Sequence, residues 1–95
     1  MSQKITASIT VNDVTTERRT YQKRINLPID PVIGMKIATV CRSSKGEIID
    51  GFTFDLAGIL YFEETEELIC FLHHSDHDNQ RIDIACGNSN DWNLV

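Results

Sequence analysis

Apolar and polar residues alternate with a period of two along much of this chain, and that pattern predicts strands. Over residues 4–11, Ile5, Ala7, Ile9 and Val11 fall on one face and Thr6, Ser8 and Thr10 on the other. Residues 12–17 read as a turn. Residues 18–27 alternate again, with Tyr21, Ile25 and Leu27 inward and Arg18, Thr20, Gln22, Arg24 and Asn26 outward. Lys23 falls on the apolar side of that strand, which suggests an edge strand whose lysine stem reaches back to solvent.

The apolar centre is predicted at residues 58–73, read as a hairpin. Ile59 to Phe62 and Leu68 to Leu72 are rich in β-branched and aromatic residues, and a Glu/Thr cluster separates them. With Thr65 and Glu66 as a two-residue loop, Phe62 lies opposite Ile69 and Leu60 opposite Phe71. Ile59, Tyr61, Leu68, Cys70 and Leu72 then share the other face. A ribbon apolar on both sides is expected in the middle of a fold, covered from both faces. The turn carries no Asn-Gly or Asp-Gly pair, so its register is open by one or two residues.

Two segments are ambiguous. Asp30 and Pro31 suit a helix start and Lys45-Gly46 a helix end, so one helix at about 31–45 packed on an antiparallel sheet is the alternative architecture. Gly34 and the β-branched Val32, Ile33, Ile37, Thr39 and Val40 favour a strand over 35–41 instead. Residues 47–56 form a strand in which Asp50 would share the face of Phe52, Phe54 and Leu56. A bulge at Gly51 would turn Asp50 away and bring Ile49 in. Ala57-Gly58 reads as a turn, residues 73–79 as a polar loop, and residues 81–86 as a last strand with Ile82 and Ile84 on one face. The expected fold is all-β, or β-rich α+β: one antiparallel meander of six to seven short strands closing into a barrel or sandwich.

Composition narrows the class. Ninety-five residues, 41% hydrophobic and 24% charged, fit one globular domain. No apolar run approaches the ~18 residues needed to span a bilayer, and the first residues alternate where a secretion signal would be solidly apolar. Cys41, Cys70 and Cys86 are odd in number and widely spaced, as expected of buried thiols in a reducing, cytoplasmic setting. The net charge of −5 divides unevenly: residues 1–46 hold eight Lys/Arg and three Asp/Glu, residues 47–95 one and eleven. A basic half and an acidic half follow, which either offset each other across the surface or recruit a charged partner.

Four constellations could carry chemistry. His74, Asp76 and His77, flanked by His73 and Asp78, are ligand types for a divalent metal, although all lie in one loop where a solvated turn is the simpler reading. Cys86 with His74 or His77 and Asp83 could form a Cys–His nucleophile, but no spacing requires it, and no catalytic or cofactor motif is present. Arg18, Arg19, Lys23 and Arg24, interleaved with Tyr21, could track single-stranded nucleic acid or form a self-association seam. The acidic remainder of the molecule argues against a polyanion. Glu63, Glu64, Glu66 and Glu67 crowd the hairpin tip, and with Trp92 as an anchor they point to a protein partner. The sequence therefore reads as a non-enzymatic module acting through protein contacts, able to form a homodimer. A small β-barrel binding a small ligand or divalent metal near residues 73–78 is the first alternative, and single-stranded nucleic-acid binding through residues 18–24 the second.

Overall fold

The computed structural model describes residues 4–12, 18–74 and 79–95. Six strands and one helix follow in chain order: β1 (Lys4–Asn12), β2 (Arg18–Ile25), β3 (Lys36–Arg42), β4 (Ile48–Phe62), β5 (Glu67–His73), α1 (Asn79–Gly87) and β6 (Asn93–Leu94). They build a single six-stranded sheet in the order β3-β4-β5-β1-β2-β6, curled into a half-barrel. The β-rich expectation holds, and the strands expected over residues 4–11, 18–27 and 35–41 are found as β1, β2 and β3, with β2 ending two residues earlier, at Ile25. The turn read at 12–17 lies outside the described residues apart from Asn12, the last residue of β1.

The sheet is not a simple meander. The β3-β4-β5 unit and the β1-β2-β6 unit are each antiparallel, but they join where β5 runs parallel to β1, Ile5 beside Leu68 and Ile9 beside Leu72. A parallel pairing needs a long crossover. Here the chain between β1 and β5 runs through β2, β3 and β4, and residues 26–35 link β2 to the opposite edge of the sheet at β3. That corrects the all-antiparallel reading, and the helix considered at 31–45 is strand β3 instead.

The helix lies where a strand was expected. Residues 81–86 belong to α1, whose Ile82, Ala85 and Cys86 are buried while Ile84 is exposed. The Ile-Asp-Ile alternation imitates a strand, but the buried set recurs at i, i+3 and i+4, the spacing of a helix face. Two ion pairs fasten α1 to the sheet. Arg19 meets Asp83 at 2.8 Å, and Arg81 grips both oxygens of Asp50 at 2.8 and 2.6 Å. The Tyr21 hydroxyl also donates to Asp83 at 2.7 Å; burial and that carboxylate push the phenol up to about 12.

Asp50 explains a second correction. The bulge falls at Ile49, because Cys41 pairs with Asp50 while Arg42 pairs with Ile48. Asp50 therefore stays on the face of Phe52, Phe54 and Leu56, and Arg81 neutralises it there while its guanidinium lies 5.0 Å from the Phe52 ring centre. Burial of a charge is tolerated when it is paired. Ala57-Gly58 is not a turn: β4 continues through a second bulge between Leu56 and Gly58 into its partnership with β5.

The core fills the concave side of the sheet. Ile5, Ala7, Ile9 and Val11 of β1, Tyr21 of β2, Ile37 and Cys41 of β3, Phe52, Phe54 and Leu56 of β4, and Cys70 and Leu72 of β5 are buried there against Ile82, Ala85, Cys86 and Trp92. Lys23 is on this same face, and the expectation that it escapes to solvent from an edge strand fails. β6 flanks β2, and the lysine turns inward. Its ammonium meets Asp91 at 3.0 Å, donates to Thr39 Oγ1 at 3.3 Å and the Val40 carbonyl at 3.2 Å, and lies 5.8 Å from the Trp92 ring centre. Asn90 N–H donates to the Arg42 carbonyl at 2.7 Å, and Arg42 N–H donates to Asp91 Oδ1 at 3.1 Å. The free edge of β3 is thus stitched to the opposite side of the half-barrel.

Asp91 gives this seam a pH dependence. Burial pushes its carboxyl up, but the Ser89 hydroxyl, the Arg42 amide and Lys23 outweigh that and hold it below the ordinary carboxylate range. A carboxyl depressed in the folded state stabilises above its unfolded pKa and loses that contribution as pH falls through the folded value. Melting temperatures recorded from about pH 5 downward should therefore fall less steeply for Asp91→Asn than for the native chain. Parallel curves would mean that the seam does not hold Asp91 ionised.

Candidate protein interface

β4 is fifteen residues long and β3 only seven, so the two strands cannot match end to end. β3 pairs with β4 from Ile48 to Asp55, and β5 pairs with it from Asp55 to Phe62. On the β3 side the pairing ends at Leu56, whose N–H donates to the Met35 carbonyl and whose carbonyl accepts from Gly34 N–H, both at 2.8 Å. Beyond that point, residues 57–62 meet no backbone partner on that side among the described residues. The second half of β4 and the first half of β5 form an arm with one open edge.

The arm's register refines the expected hairpin. Phe62 lies opposite Glu67, Leu60 opposite Ile69 and Gly58 opposite Phe71, two residues from the predicted pairing. A shift of two preserves the faces: Leu60, Phe62, Ile69 and Phe71 share one, and Ile59, Tyr61, Leu68, Cys70 and Leu72 the other. The loop is Glu63-Glu64-Thr65-Glu66, closed by Glu66 N–H to the Glu63 carbonyl at 3.3 Å, with Glu66 at φ 53°. No Gly or Asn marks that left-handed position, which is why the turn type was not legible.

Burial departs most from expectation here. Cys70 and Leu72 belong to the core, but Ile59, Leu60, Tyr61 and Phe62 are 37%, 45%, 51% and 46% exposed. Phe71 lies over Gly58, where a Cβ would come within 3.4 Å of its ring, and is itself 41% exposed. The ribbon is therefore central only at its inner end. Its outer end projects apolar side chains from both faces into solvent, and Ile29, Val32 and Ile33 are exposed in the crossover before β3. The tip is acidic: Glu67 accepts from the Thr6 hydroxyl, while Glu63, Glu64 and Glu66 have no ion pair among the described residues.

The other candidate residues are scattered. Trp92 is buried at 3%, docked on the seam with its indole N–H donating to Val40 at 3.4 Å, and is not a surface anchor. Arg18 and Arg24 are exposed on β2, whereas Arg19 and Lys23 are held by Asp83 and Asp91. The grouping of these four as a basic edge is not seen, since β6 lies alongside Tyr21 and Gln22. Of the metal-ligand trio, Asp76 and His77 lie outside the described residues, as does Asp78. His74 donates from Nε2 to the Thr10 carbonyl at 3.0 Å, and His73 sits opposite Asp55. Among the described residues no cluster of three metal-binding side chains occurs. Cys86 faces Cys41, and the Asp83 carboxylate is engaged by Tyr21 and Arg19.

Open clefts occur among the described residues. One of about 610 Å³ runs along Lys23, Thr39, Val40, Arg42 and Phe52, and one of about 280 Å³ lies between Ile49, Asp50, Arg81 and Ile84. Neither is lined by His73 or His74. No helix among the described residues is long and apolar enough to cross a membrane. No family model, curated protein or solved structure matches the chain.

Proposed function

We propose that this chain is a small non-enzymatic interaction module that takes an extended, cation-bearing segment of a partner protein as an added strand on the open edge of β4. The observation that carries this reading is the mismatch between β4 and β3. It leaves residues 57–62 with unpaired backbone groups, exposed apolar side chains on both faces, and a glutamate tip at one end. Edges of this kind are templates for strand addition, and folded proteins normally blunt them with lysine, proline or a covering loop. Residues 58–62 contain no lysine or proline, and the one bulge lies before them, at Ala57. In strand addition the backbone supplies affinity, and pockets for alternate side chains supply selectivity. Leu60 and Phe62 offer one such row and Ile59 and Tyr61 the other. Glu63, Glu64 and Glu66 favour a lysine or arginine where the added strand leaves the sheet. The three buried thiols fit a reducing, cytoplasmic setting for this activity.

The test uses two synthetic peptides, each an alternating valine–threonine strand, one with lysines at both ends and one with glutamates. Amide resonances are followed in isotope-labelled protein at about 1 mM peptide. The lysine peptide should shift residues 57–62, slow their amide exchange and weaken as salt rises, while the glutamate peptide should do neither. Unchanged resonances, or equal binding of both peptides, would refute the reading. A concentration-dependent dimer abolished by Leu60→Lys would assign the edge to a second copy of the chain instead.

A further inference from the structure

The core holds a feature that strand addition does not use. Cys41 on β3 and Cys86 near the end of α1 are 45 positions apart in sequence, yet their sulfurs lie 3.9 Å from each other. Both side chains are buried, and neither is in a disulfide. We propose that Cys41 and Cys86 are an intramolecular oxidation site, a dithiol that a small hydroperoxide converts into a disulfide joining α1 to the edge strand of the half-barrel.

The geometry requires little movement. A disulfide needs its sulfurs at about 2.05 Å, so the 3.9 Å gap has to close by about 2 Å, through side-chain rotation and a small shift of α1 toward β3. Asymmetry assigns the roles. The hydrogen bond between the two sulfurs, which either thiol can donate, pulls the Cys41 thiol down and pushes Cys86 up, and burial raises Cys86 further. Cys41 is therefore the attacking sulfur and Cys86 the resolving one.

The chemistry balances with hydrogen peroxide alone. The Cys41 thiolate attacks one peroxide oxygen, the O–O bond breaks, and the departing hydroxide takes the proton that the thiol lost, giving a sulfenic acid and one water. The Cys86 sulfur then attacks the sulfenic sulfur. The S–O bond breaks, and the leaving hydroxide takes the Cys86 proton as a second water. Two thiols have lost two electrons to peroxide, and one S–S bond has formed.

Burial sets the selectivity. Peroxide is small enough to enter with a modest opening of α1, a nine-residue helix too short to be stable without its packing on the sheet. Bulky disulfide reagents are excluded. Cys70 is the internal control: it is equally buried, its thiol is pushed up by that burial, and it has no sulfur neighbour among the described residues. Closing a loop of this length constrains the unfolded chain, so the oxidised protein should melt roughly 5–15 °C higher than the reduced one.

The experiment treats the native full chain with hydrogen peroxide, blocks the remaining thiols, and maps peptides without reduction. The expected result is a linked pair of peptides containing Cys41 and Cys86, an intact mass lower by two hydrogens, free Cys70, and reversal by dithiothreitol. Cys70→Ser should retain the link, and Cys86→Ser should replace it with oxygen adducts on Cys41. A link through Cys70, oxygen adducts on Cys41 in the native chain, or three unreacted thiols would overturn the proposal. The mapping needs no variant, so it remains decisive if either serine substitution prevents folding.

Discussion

Phe54→Ala should cost about 3–5 kcal/mol of stability, while Leu60→Ala, six residues further along the same strand, should cost under about 1 kcal/mol. Phe54 is 1% exposed. Its ring stacks on Phe52 with centroids 5.7 Å apart and meets the His74 ring edge-on at 6.3 Å. It also lies opposite Ile37 at the point where β3 and β4 close the concave side. Truncation there removes a large apolar surface and leaves a cavity that the close-packed flanking strands can fill only in part. For a domain of this size, with a total of roughly 5–14 kcal/mol, that loss brings the chain close to unfolding at body temperature. Leu60 is 45% exposed, with little contact to lose. Urea titrations of both variants, with slopes unchanged from the native chain, would measure the contrast. A large loss at Leu60 would mean that the outer arm holds the fold together, and the open-edge interface would fall with it.

That contrast also marks how far the sequence could be read. Period-two alternation was enough to place β1 and β2, and β-branched content was enough to choose strand over helix for β3. The faces of the β4–β5 hairpin were legible even with its register off by two, because such a shift leaves every side chain on its own side. Burial of the hairpin was not legible. Ile59 to Phe62 look like core because they are apolar, and whether they are covered depends on where β3 begins relative to β4, a tertiary length mismatch with no local signal.

The misreading of α1 has a similar cause. Ile82, Asp83 and Ile84 alternate, and only the concave space left by the sheet decides that Ile82 goes in with Ala85 and Cys86 while Ile84 stays out. The polar positions inside the barrel followed from pairing rather than pattern. Asp50 and Lys23 break their apolar faces in sequence and are accommodated by Arg81 and Asp91, which are 31 and 68 positions away. The Cys41–Cys86 proximity is likewise a product of topology, invisible in a count of three widely spaced cysteines.

Lys23→Met is expected to cost about 2–3 kcal/mol, and Asp91→Asn in the same chain should return part of it. Methionine keeps most of the buried stem volume, so the change isolates the ammonium. Removing it leaves the Asp91 carboxylate with one charged partner fewer in a site where both side chains are largely shielded, at 19% and 27% exposure. It also deprives Thr39 Oγ1 and the Val40 carbonyl of a donor. A fully buried pair broken on one side costs about 3–5 kcal/mol, and the partial exposure here scales that down. In a double-mutant cycle the two sites should couple by about 1–2 kcal/mol, well above the 0.5 kcal/mol expected of independent positions. The structural consequence is local. Trp92 docks on the same seam, so its emission should move to longer wavelength in Lys23→Met as water reaches the indole, while the β1–β5 junction, on the far side of β2, should keep its slow amide exchange. Additive single-mutant losses with an unshifted Trp92 spectrum would show that Lys23 is only a tolerated charge and that backbone bonds from residues 90–92 close the half-barrel without it.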